Sequence, residues 1–402
     1  MAVLFKSGFL GGFGTWPLAY IPYGGADFGE VEAVAEAVGD GDADEFHDAW
    51  IAAGERMVRE ADALLARNHR TSARELYLRA SAFFCASYHP LYGTPVDPRL
   101  LAAYDRQIDA LDRGFQLSDP PILPQAIPFS GAKMAAYLVP AAGNARAVRP
   151  TIIFTNGYDG TVTDLYFASA VAASRRGYHA LIFDGPGQGG MLYRQGVSMI
   201  PDWESVIGAV VDFALAQPIV DPARIVLSGW SLGGYLAPRG ASGEPRLAAC
   251  IADPGQWATA DSFRSIAVKL GASVEQSRNL GTVDESVLQA LSAQIAQSRQ
   301  LRWSIVQRGF WVMGCTTLRE FLAKTELFTM EGRAEAITCP TLLTAAENDP
   351  LAIGAGRLFD ALRCPKAMLR FTAAEGAGMH CEMGNRSLLN RRVLDWLDAL
   401  FE

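Results

Sequence analysis

Residues 225–234 constrain the fold of this chain more than any other stretch. The apolar run Ile225-Val226-Leu227 leads into the pentapeptide Gly229-Trp230-Ser231-Leu232-Gly233, and a helix-compatible segment follows. A G-x-S-x-G sequence between a strand and a helix predicts a nucleophile elbow, a sharp turn that pushes the serine Oγ outwards. Both glycines are needed because a side chain at position 229 or 233 would crowd the backbone. We therefore expect Ser231 to be a nucleophile at the carboxyl end of a buried strand.

Short apolar segments alternate with helical ones on both sides of the elbow. Besides the strand before Ser231, strands are predicted at 126–129, 134–139, 151–155, 180–183, 248–251, 341–345 and 367–371. This alternation predicts an α/β fold, in which a mostly parallel sheet carries helices on both of its faces. Ligands of such sheets bind beyond the carboxyl ends of the strands, where the elbow also lies.

The other segments divide the chain into four predicted parts. Residues 1–124 are rich in helix formers, and we expect them to form an N-terminal helical domain. Residues 125–255 and 336–402 are predicted to be the two parts of an α/β core. Between them, residues 256–335 lose the strand pattern and have helical stretches at 262–270, 286–302 and 317–327. We expect this insertion to cover the elbow as a helical lid.

The composition excludes several classes of partner. Of the 402 residues, 50% are hydrophobic and 19% are charged, and the formal net charge is −8. An acidic chain without a basic run argues against nucleic acid and against anionic membrane surfaces as partners. No apolar run reaches the roughly 18 residues of a membrane span. We expect a small-molecule substrate, no nucleic acid and no membrane.

The cysteines and most histidines show no metal-binding pattern. The six cysteines lie at 85, 250, 315, 339, 364 and 381 without a CxxC pair, and His47, His69 and His89 are widely spaced. We therefore expect reduced thiols, no metal and a cytoplasmic location. The run at 8–13 is short and broken by glycines, so no signal peptide is expected.

The partners of the serine are found by chain order. Serine needs a base to take its proton, and in this kind of fold the order is Ser, then Asp or Glu, then His. Only His380 follows Ser231 among the histidines, so it is the predicted base. Asp349 follows the strand 341–345 and is the favoured acid, whereas Asp253 and Glu347 are the alternatives. The acid would hold the imidazole tautomer and stabilise the imidazolium.

Two glycine-containing loops are predicted at the same edge of the sheet. Acyl transfer develops negative charge on oxygen, which two backbone N–H groups can stabilise. We expect these donors to be Leu232, directly after the serine, and Tyr158 in the loop 156–161. The loop 184–190 matches neither a Walker pattern nor G-x-G-x-x-G, and we interpret it as a structural turn.

Aromatic residues near the elbow and in the lid are the candidates for substrate contact. The predicted contacts are Trp230, Trp257, Trp303 and Trp311, although aromatic residues at helical spacing are more often part of the core. Asp261 or Glu275 would place a carboxylate in the same pocket. Because the lid offers aromatic rather than cationic residues, we expect a mid-sized aromatic or polyketide-like substrate.

Together these motifs resemble one branch of the α/β-hydrolase superfamily. The matching features are the N-terminal helices, the loops at 156–161 and 184–189, and the Gly-Trp-Ser-Leu-Gly elbow. That branch includes 2,6-dihydroxypseudooxynicotine hydrolase and the fungal polyketide chain-shortening hydrolases, which cleave C–C bonds beside ketones with Ser, Asp and His. The resemblance implies an α/β-hydrolase fold over residues 126–402 and these three roles for Ser231, Asp349 and His380.

The predicted function is that of a serine hydrolase acting on a C–C bond next to a ketone, with no cofactor. A carboxylesterase or lactonase would share the triad and differ in the bond broken. An acyltransferase or cyclase would use the same serine with water excluded. A binding protein without activity is the remaining alternative. A homodimer is the expected quaternary state.

Overall fold

The structure is a computed structural model that describes residues 4–402, and one eight-stranded sheet forms its centre. The sheet order is β1-β2-β4-β3-β5-β6-β7-β8, where β1 and β2 run antiparallel and β3 to β8 are parallel. The predicted α/β fold class is confirmed. The strands are β1 (Pro124–Phe129), β2 (Ala132–Val139), β3 (Arg149–Thr155), β4 (His179–Phe183), β5 (Val220–Trp230), β6 (Ala249–Asp253), β7 (Thr341–Ala346) and β8 (Lys366–Phe371).

The helices lie before the sheet, on both of its faces and in the insertion after β6. The N-terminal helices are α1 (Gly8–Gly14), α2 (Phe28–Val38), α3 (Ala43–Ala66), α4 (Arg70–Ser87) and α5 (Pro98–Gln116). Those between β3 and β6 are α6 (Val162–Leu165), α7 (Val171–Arg175), α8 (Gly189–Tyr193), α9 (Trp203–Leu215) and α10 (Gly233–Ala241). The remainder are α11 (Asp261–Lys269), α12 (Glu285–Gln297), α13 (Arg299–Leu301), α14 (Phe310–Met313), α15 (Leu318–Thr325), α16 (Ala355–Ala361) and α17 (Arg386–Phe401).

The parallel strands β3, β4, β6 and β7 and the second half of β5 are buried on both faces, as their apolar sequences predict, whereas the edge strand β8 is partly exposed. In β3, Ile153 joins one hydrophobic cluster and Ile152 joins another. In β5, Leu227 and Val226 divide between the same two clusters. Successive side chains of a strand point to opposite faces, so each strand ties the helices of both faces together.

The N-terminal helices pack directly on the core. Many of their apolar side chains belong to a cluster that also contains residues of the sheet, α9 and the insertion after β6. A 3₁₀ segment, Trp16–Tyr23, lies against the core as well. There Tyr20 donates a hydrogen bond to Asp164 Oδ1 at 2.8 Å, and Tyr23 Oη accepts one from Asn390 of α17 at 2.8 Å. The segment Trp16–Tyr23 is therefore hydrogen-bonded both to α6 and to the last helix, α17.

The insertion after β6 is helical, but its longest predicted helix is divided. The pattern at 286–302 predicts one helix, whereas α12 ends at Gln297. Ser298 is extended and caps the next turn, because its Oγ accepts a hydrogen bond from Leu301 N at 3.2 Å. A π-helical segment, Arg302–Gly309, follows. The break redirects the chain so that this segment lies against the N-terminal helices.

In the part of the chain that the structure describes, every helix is too short or too polar to cross a membrane.

Candidate active site

The elbow has the geometry that its glycines predict. Ser231 follows β5 with a φ of 57°, a left-handed conformation that costs a non-glycine residue about 1–3 kcal/mol. A Cβ at Gly229 would lie 2.0 Å from the Gly233 carbonyl oxygen, and one at Gly233 would lie 2.7 Å from that of Thr155. Such distances are impossible for real atoms. The strained serine is therefore held by backbone packing that admits only glycine at both positions.

The structure brings together the three residues predicted to form the triad. His380 Nε2 lies 3.0 Å from Ser231 Oγ, and His380 Nδ1 lies 2.8 Å from Asp349 Oδ2. The Asp349 side chain is 0% exposed, whereas that of His380 is 34% exposed. The imidazole is thus partly open to solvent, while the carboxylate is shielded from water.

Asp349 is fixed by its place at the end of β7. Its side chain caps the short 3₁₀ turn Pro350–Gly354, because Oδ1 accepts a hydrogen bond from Leu351 N at 2.9 Å. The other oxygen remains for the imidazole of His380. One backbone contact therefore sets the orientation of the carboxylate towards the histidine.

The two alternative acids have other partners. Asp253 accepts hydrogen bonds from Thr344 Oγ1 and from Arg386 Nη1, each at 2.9 Å. Glu347 Oε2 accepts one from Ala373 N at 2.8 Å. Geometry thus selects Asp349 as the carboxylate that touches the histidine, a choice that the sequence left open.

Arg386, which the sequence analysis missed, holds the histidine loop. It is buried at the start of α17 and donates from Nη1 to Cys381 O at 2.7 Å as well as to Asp253. Its guanidinium also lies 5.1 Å from the centre of the Trp230 ring. Arg386 thereby links Cys381, the residue after His380, to the end of β6 and to the elbow.

The loop after His380 is strained at two non-glycine residues. Cys381 and Glu382 have φ values of 53° and 49°. Both side chains are buried, and burial together with the nearby Asp253 carboxylate raises the pKa of Glu382 to about 11. Glu382 is therefore a neutral acid at neutral pH, beside the Asp253–Arg386 ion pair.

The Cys381 thiol lies between the serine and the histidine. Ser231 N donates a hydrogen bond to Cys381 Sγ at 3.1 Å, and the same sulfur lies 3.3 Å from His380 Nε2. Burial raises the pKa of this thiol well above its ordinary value, so it stays protonated. No sequence pattern predicts this contact, because a lone buried cysteine usually only fills space in a core.

The backbone of the loop 156–161 lies against the serine. A Cβ on Gly157 would lie 2.7 Å from Leu232 N and 2.9 Å from Ser231 Oγ. Within residues 4–402, the N–H groups of Leu232 and Tyr158 have no hydrogen-bond acceptor. Both predicted oxyanion donors thus remain free at the edge of the sheet where the serine Oγ lies.

The loop 184–190 holds the neighbouring carbonyl groups in place. Gln188 Nε2 donates to Asn156 O at 2.8 Å and to Gly157 O at 3.0 Å, while its Oε1 accepts from Gly185 N at 2.9 Å. Gln188 is buried, so these bonds are shielded from competing water. They turn the two carbonyl groups towards the core and away from the serine.

The four predicted tryptophan contacts lie in three places, and contact with a substrate stays a prediction for each. Trp230 is buried at the elbow, where its Nε1 donates to Asn156 Oδ1 at 2.7 Å. Trp257 packs against Gly354 in the turn after Asp349. The preceding residue, Gln256, donates a hydrogen bond from its side-chain Nε2 to Ser231 O. Trp303 and Trp311 are buried where the insertion after β6 meets the N-terminal region and α8.

The insertion after β6 contacts the loop 156–161 through a cation rather than a carboxylate. Asp261 pairs with Arg264 at 3.1 Å, and Glu275 is exposed. By contrast, Arg308 Nη1 lies 2.5 Å from Asp159 Oδ2 in the loop 156–161. We expected this insertion to offer aromatic rather than cationic residues, and that expectation did not take Arg308 into account.

Between residues 4 and 402, no cluster of three or more His, Cys, Asp or Glu side chains is placed to hold a metal ion. The three N-terminal histidines do not converge: His47 and His89 are buried and bond to backbone carbonyl groups of α4, and His69 is exposed.

The sheet order, the elbow and the Ser–His–Asp contacts define an enzyme of the α/β-hydrolase class. The sequence model described as "Alpha/beta hydrolase family" matches residues 152–387, more than half of the chain. The chain therefore belongs to the α/β hydrolase family, and the predicted enzyme class is confirmed.

Fungal relatives extend this similarity over nearly the whole chain. "Hydrolase acrC" of Aspergillus aculeatus is 32% identical over 409 residues, which cover 96% of this chain and 95% of the relative. "20-hydroxy-prefusarin hydrolase FUS2" of Gibberella moniliformis is 31% identical and covers 96% of this chain and 94% of the relative. The similarity thus includes the N-terminal helices as well as the α/β core.

A solved structure shares the complete fold. The crystal structure of 2,6-dihydroxy-pseudo-oxynicotine hydrolase superposes with a TM-score of 0.73 at 21% identity, covering 94% of each chain. At this identity the likeness establishes the fold alone. The resemblance predicted from the motifs is confirmed by this structure together with the fungal hydrolases.

Proposed function

We propose that this α/β hydrolase is a serine hydrolase in which Ser231, His380 and Asp349 act as a catalytic triad. The observation that carries the proposal is the continuous pair of contacts from Ser231 Oγ through His380 to Asp349, at 3.0 and 2.8 Å. A base within hydrogen-bond reach of the nucleophile, itself oriented by a carboxylate, is the arrangement that activates a serine.

The first step of the proposed reaction is attack of Ser231 Oγ on a substrate carbonyl. The hydroxyl proton passes to His380 Nε2, and Asp349 stabilises the imidazolium that forms. The N–H groups of Leu232 and Tyr158 stabilise the oxyanion. Removing one donor of such a pair typically slows a reaction about 10²–10³-fold.

The second step is cleavage of a C–C bond beside the ketone. Collapse of the tetrahedral intermediate breaks this bond, and its electron pair leaves on a carbon where an adjacent carbonyl or aromatic ring delocalises it. His380 returns the proton to that carbon. Water then hydrolyses the acyl group on Ser231, again with His380 as the base, which yields a carboxylic acid and the shortened ketone or arene.

The substrate class is supported by the relatives and by the surroundings of the site. Relatives that span almost the whole chain are named hydrolases, one of them 20-hydroxy-prefusarin hydrolase. Trp257 directly follows Gln256, whose side-chain Nε2 donates a hydrogen bond to Ser231 O at the elbow, and it is the aromatic residue that we propose to contact the substrate. We infer an aromatic or polyketide-like ketone of middle size as the substrate.

A paired assay tests both the triad and the bond. Wild type and Ser231→Ala are compared on an aryl 1,3-diketone and on an aryl ester, with Asp349→Asn and Asp253→Asn as a matched pair of acid variants. We expect diketone cleavage that is lost in Ser231→Ala and strongly reduced in Asp349→Asn, by about 10⁴-fold in kcat. Ester turnover alone would instead indicate a carboxylesterase or lactonase, and activity that survives Ser231→Ala would refute the nucleophile.

A further inference from the structure

Three regions of the molecule meet at Asp159. Asp159 belongs to the loop 156–161, its Oδ2 pairs with Arg308 of the lid at 2.5 Å, and its carbonyl accepts a hydrogen bond from Tyr92 Oη of the N-terminal region at 3.0 Å. Tyr92 Oη in turn lies 2.8 Å from Tyr193 Oη of α8. Asp159 is thus contacted by the lid and by the N-terminal region at the same time.

The Arg308–Asp159 pair is largely removed from water. The Arg308 side chain is 21% exposed and that of Asp159 is 12% exposed. The Arg308 guanidinium lies 4.9 Å from the centre of the Tyr158 ring and 4.8 Å from that of Trp303. Between two aromatic rings the guanidinium has one orientation, and screening by solvent is weak.

This ion pair lies beside a proposed oxyanion donor. Tyr158, the proposed oxyanion donor of the loop 156–161, immediately precedes Asp159. On the other side of Tyr158, Gln188 fixes the carbonyl groups of Asn156 and Gly157 from within the core. The peptide that carries the donor is therefore held on one side by the core and on the other by the lid.

We propose that Arg308 is a positioning residue, through which the docked lid places the Tyr158 N–H for catalysis. This inference rests on the proposed function, because it assigns a cause to the geometry of its oxyanion hole. Its consequence is that the oxyanion hole is complete only while the lid is docked. Closure that assembles a catalytic site is a known source of specificity, since only a substrate that the closed lid accepts meets a complete site.

The main test compares Arg308→Met with Arg302→Met. Arg302 lies in the same π-helical segment but is exposed, so it provides the matched control. The probes are a small aryl acetate and the rate at which a fluorophosphonate labels Ser231, because both reactions place an oxygen in the oxyanion hole. We expect Arg308→Met to lower kcat and the labelling rate by about 100-fold, whereas Arg302→Met matches wild type.

A double-mutant cycle with Asp159→Asn tests whether the two residues act as a pair. If the lid acts through this ion pair, Arg308→Met and Asp159→Asn have similar single effects and the double variant is no slower than either. Arg308→Lys, which keeps the charge and loses the planar fork, should retain part of the activity. The thermal midpoint of each variant verifies that it is folded.

Several outcomes would overturn the inference. Labelling and kcat within twofold of wild type in folded Arg308→Met would do so, and so would additive effects in the cycle. A rise in KM for the small ester at unchanged kcat would make Arg308 a substrate contact instead. If Arg308→Met does not fold, full activity of the double variant Arg308→Lys/Asp159→Asn would contradict the inference. Failure of wild type to be labelled at Ser231 would refute the proposed function itself.

Discussion

Ser231 Oγ and His380 Nε2 lie 3.0 Å apart, yet different kinds of contact hold the two residues in place. On the serine side, close backbone packing excludes every Cβ from the elbow glycines and from Gly157. On the histidine side, long polar side chains hold a loop in which two non-glycine residues have positive φ. Arg386 joins this loop to Asp253, and Asn385 Nδ2 donates to Glu375 O at 2.9 Å.

The difference indicates which kind of substitution should disturb each half of the site. Packing of backbone against backbone depends on volume and not on charge, so the serine side should resist pH and fail when atoms are added. A loop held by a buried ion pair depends on both charges being present. The histidine side should therefore respond to changes of charge.

The largest effect is expected from Arg386→Met, which removes the cation and leaves Asp253 buried without its partner. We expect the free energy of unfolding to fall by about 3–5 kcal/mol, because an uncompensated buried charge is costly. Urea denaturation measures it. The control is Arg392→Met on the same helix, which loses a solvent-accessible pair with Glu375 and should cost much less stability. Equal losses in the two variants would remove the distinction between the two sides of the site.

Gly234→Ala tests the serine side by volume. A Cβ at this position would lie 1.9 Å from the Pro254 carbonyl oxygen, so the elbow and the turn after β6 must separate. We expect a loss of about 3 kcal/mol, at the upper end of overpacking effects. In Gly208→Ala the new Cβ would meet its nearest neighbour at 3.9 Å, and helix α9 should be unchanged or stabilised by about 0.5–1 kcal/mol. Thermal and urea denaturation of both variants would show whether volume alone separates them.

Glu382→Gln tests the histidine side by pH. The native state holds the Glu382 proton up to about pH 11, whereas the unfolded chain releases it near the ordinary value of 4.5. Between these values the native state binds more protons, so its stability falls as pH rises, by up to about 1.4 kcal/mol per pH unit. Asp253, Asp349 and Arg386 are the charged groups that act on Glu382.

The glutamine variant cannot release this proton, so its stability should depend less on pH. Urea denaturation of wild type and Glu382→Gln between about pH 6 and 8 measures the two slopes. The two proteins should differ more at the higher pH. Parallel slopes would show that Glu382 does not titrate as its surroundings indicate.

Cys381→Ala is expected to have the smallest effect. It leaves Ser231 N without its sulfur acceptor at 3.1 Å, which should cost about 1 kcal/mol of stability. Cys381→Ser retains an acceptor and should lose less. Urea denaturation and the fluorophosphonate labelling rate of Ser231 compare the two. A serine variant as unstable as the alanine variant would mean that packing of the thiol, and not its hydrogen bond, matters there.

The sequence predicted those parts of the site that local patterns or chain order determine. The elbow is a continuous pentapeptide, and His380 is the only histidine after it. Asp349 and Asp253 both follow core strands, so no local pattern separates them. What separates them is which loop faces the imidazole, and that depends on how β6, β7 and the histidine loop lie beside one another.

The residues that the sequence analysis missed act across long separations in the chain. Arg386 meets Asp253 133 positions away, and Arg308 meets Asp159 149 positions away. An arginine in a helical segment resembles any solvated cation until its partner is known. The π-helical segment that carries Arg308 was missed for a related reason, because its course follows from docking against the N-terminal region and not from local propensity.

The contact between Tyr23 and Asn390 spans 367 positions of the chain. During synthesis, the Tyr23 hydroxyl therefore has no partner in α17 until that helix has left the ribosome. Contacts of such high order slow folding and leave early segments exposed in the meantime. The 3₁₀ segment Trp16–Tyr23 therefore completes its native contacts only after α17 has been made.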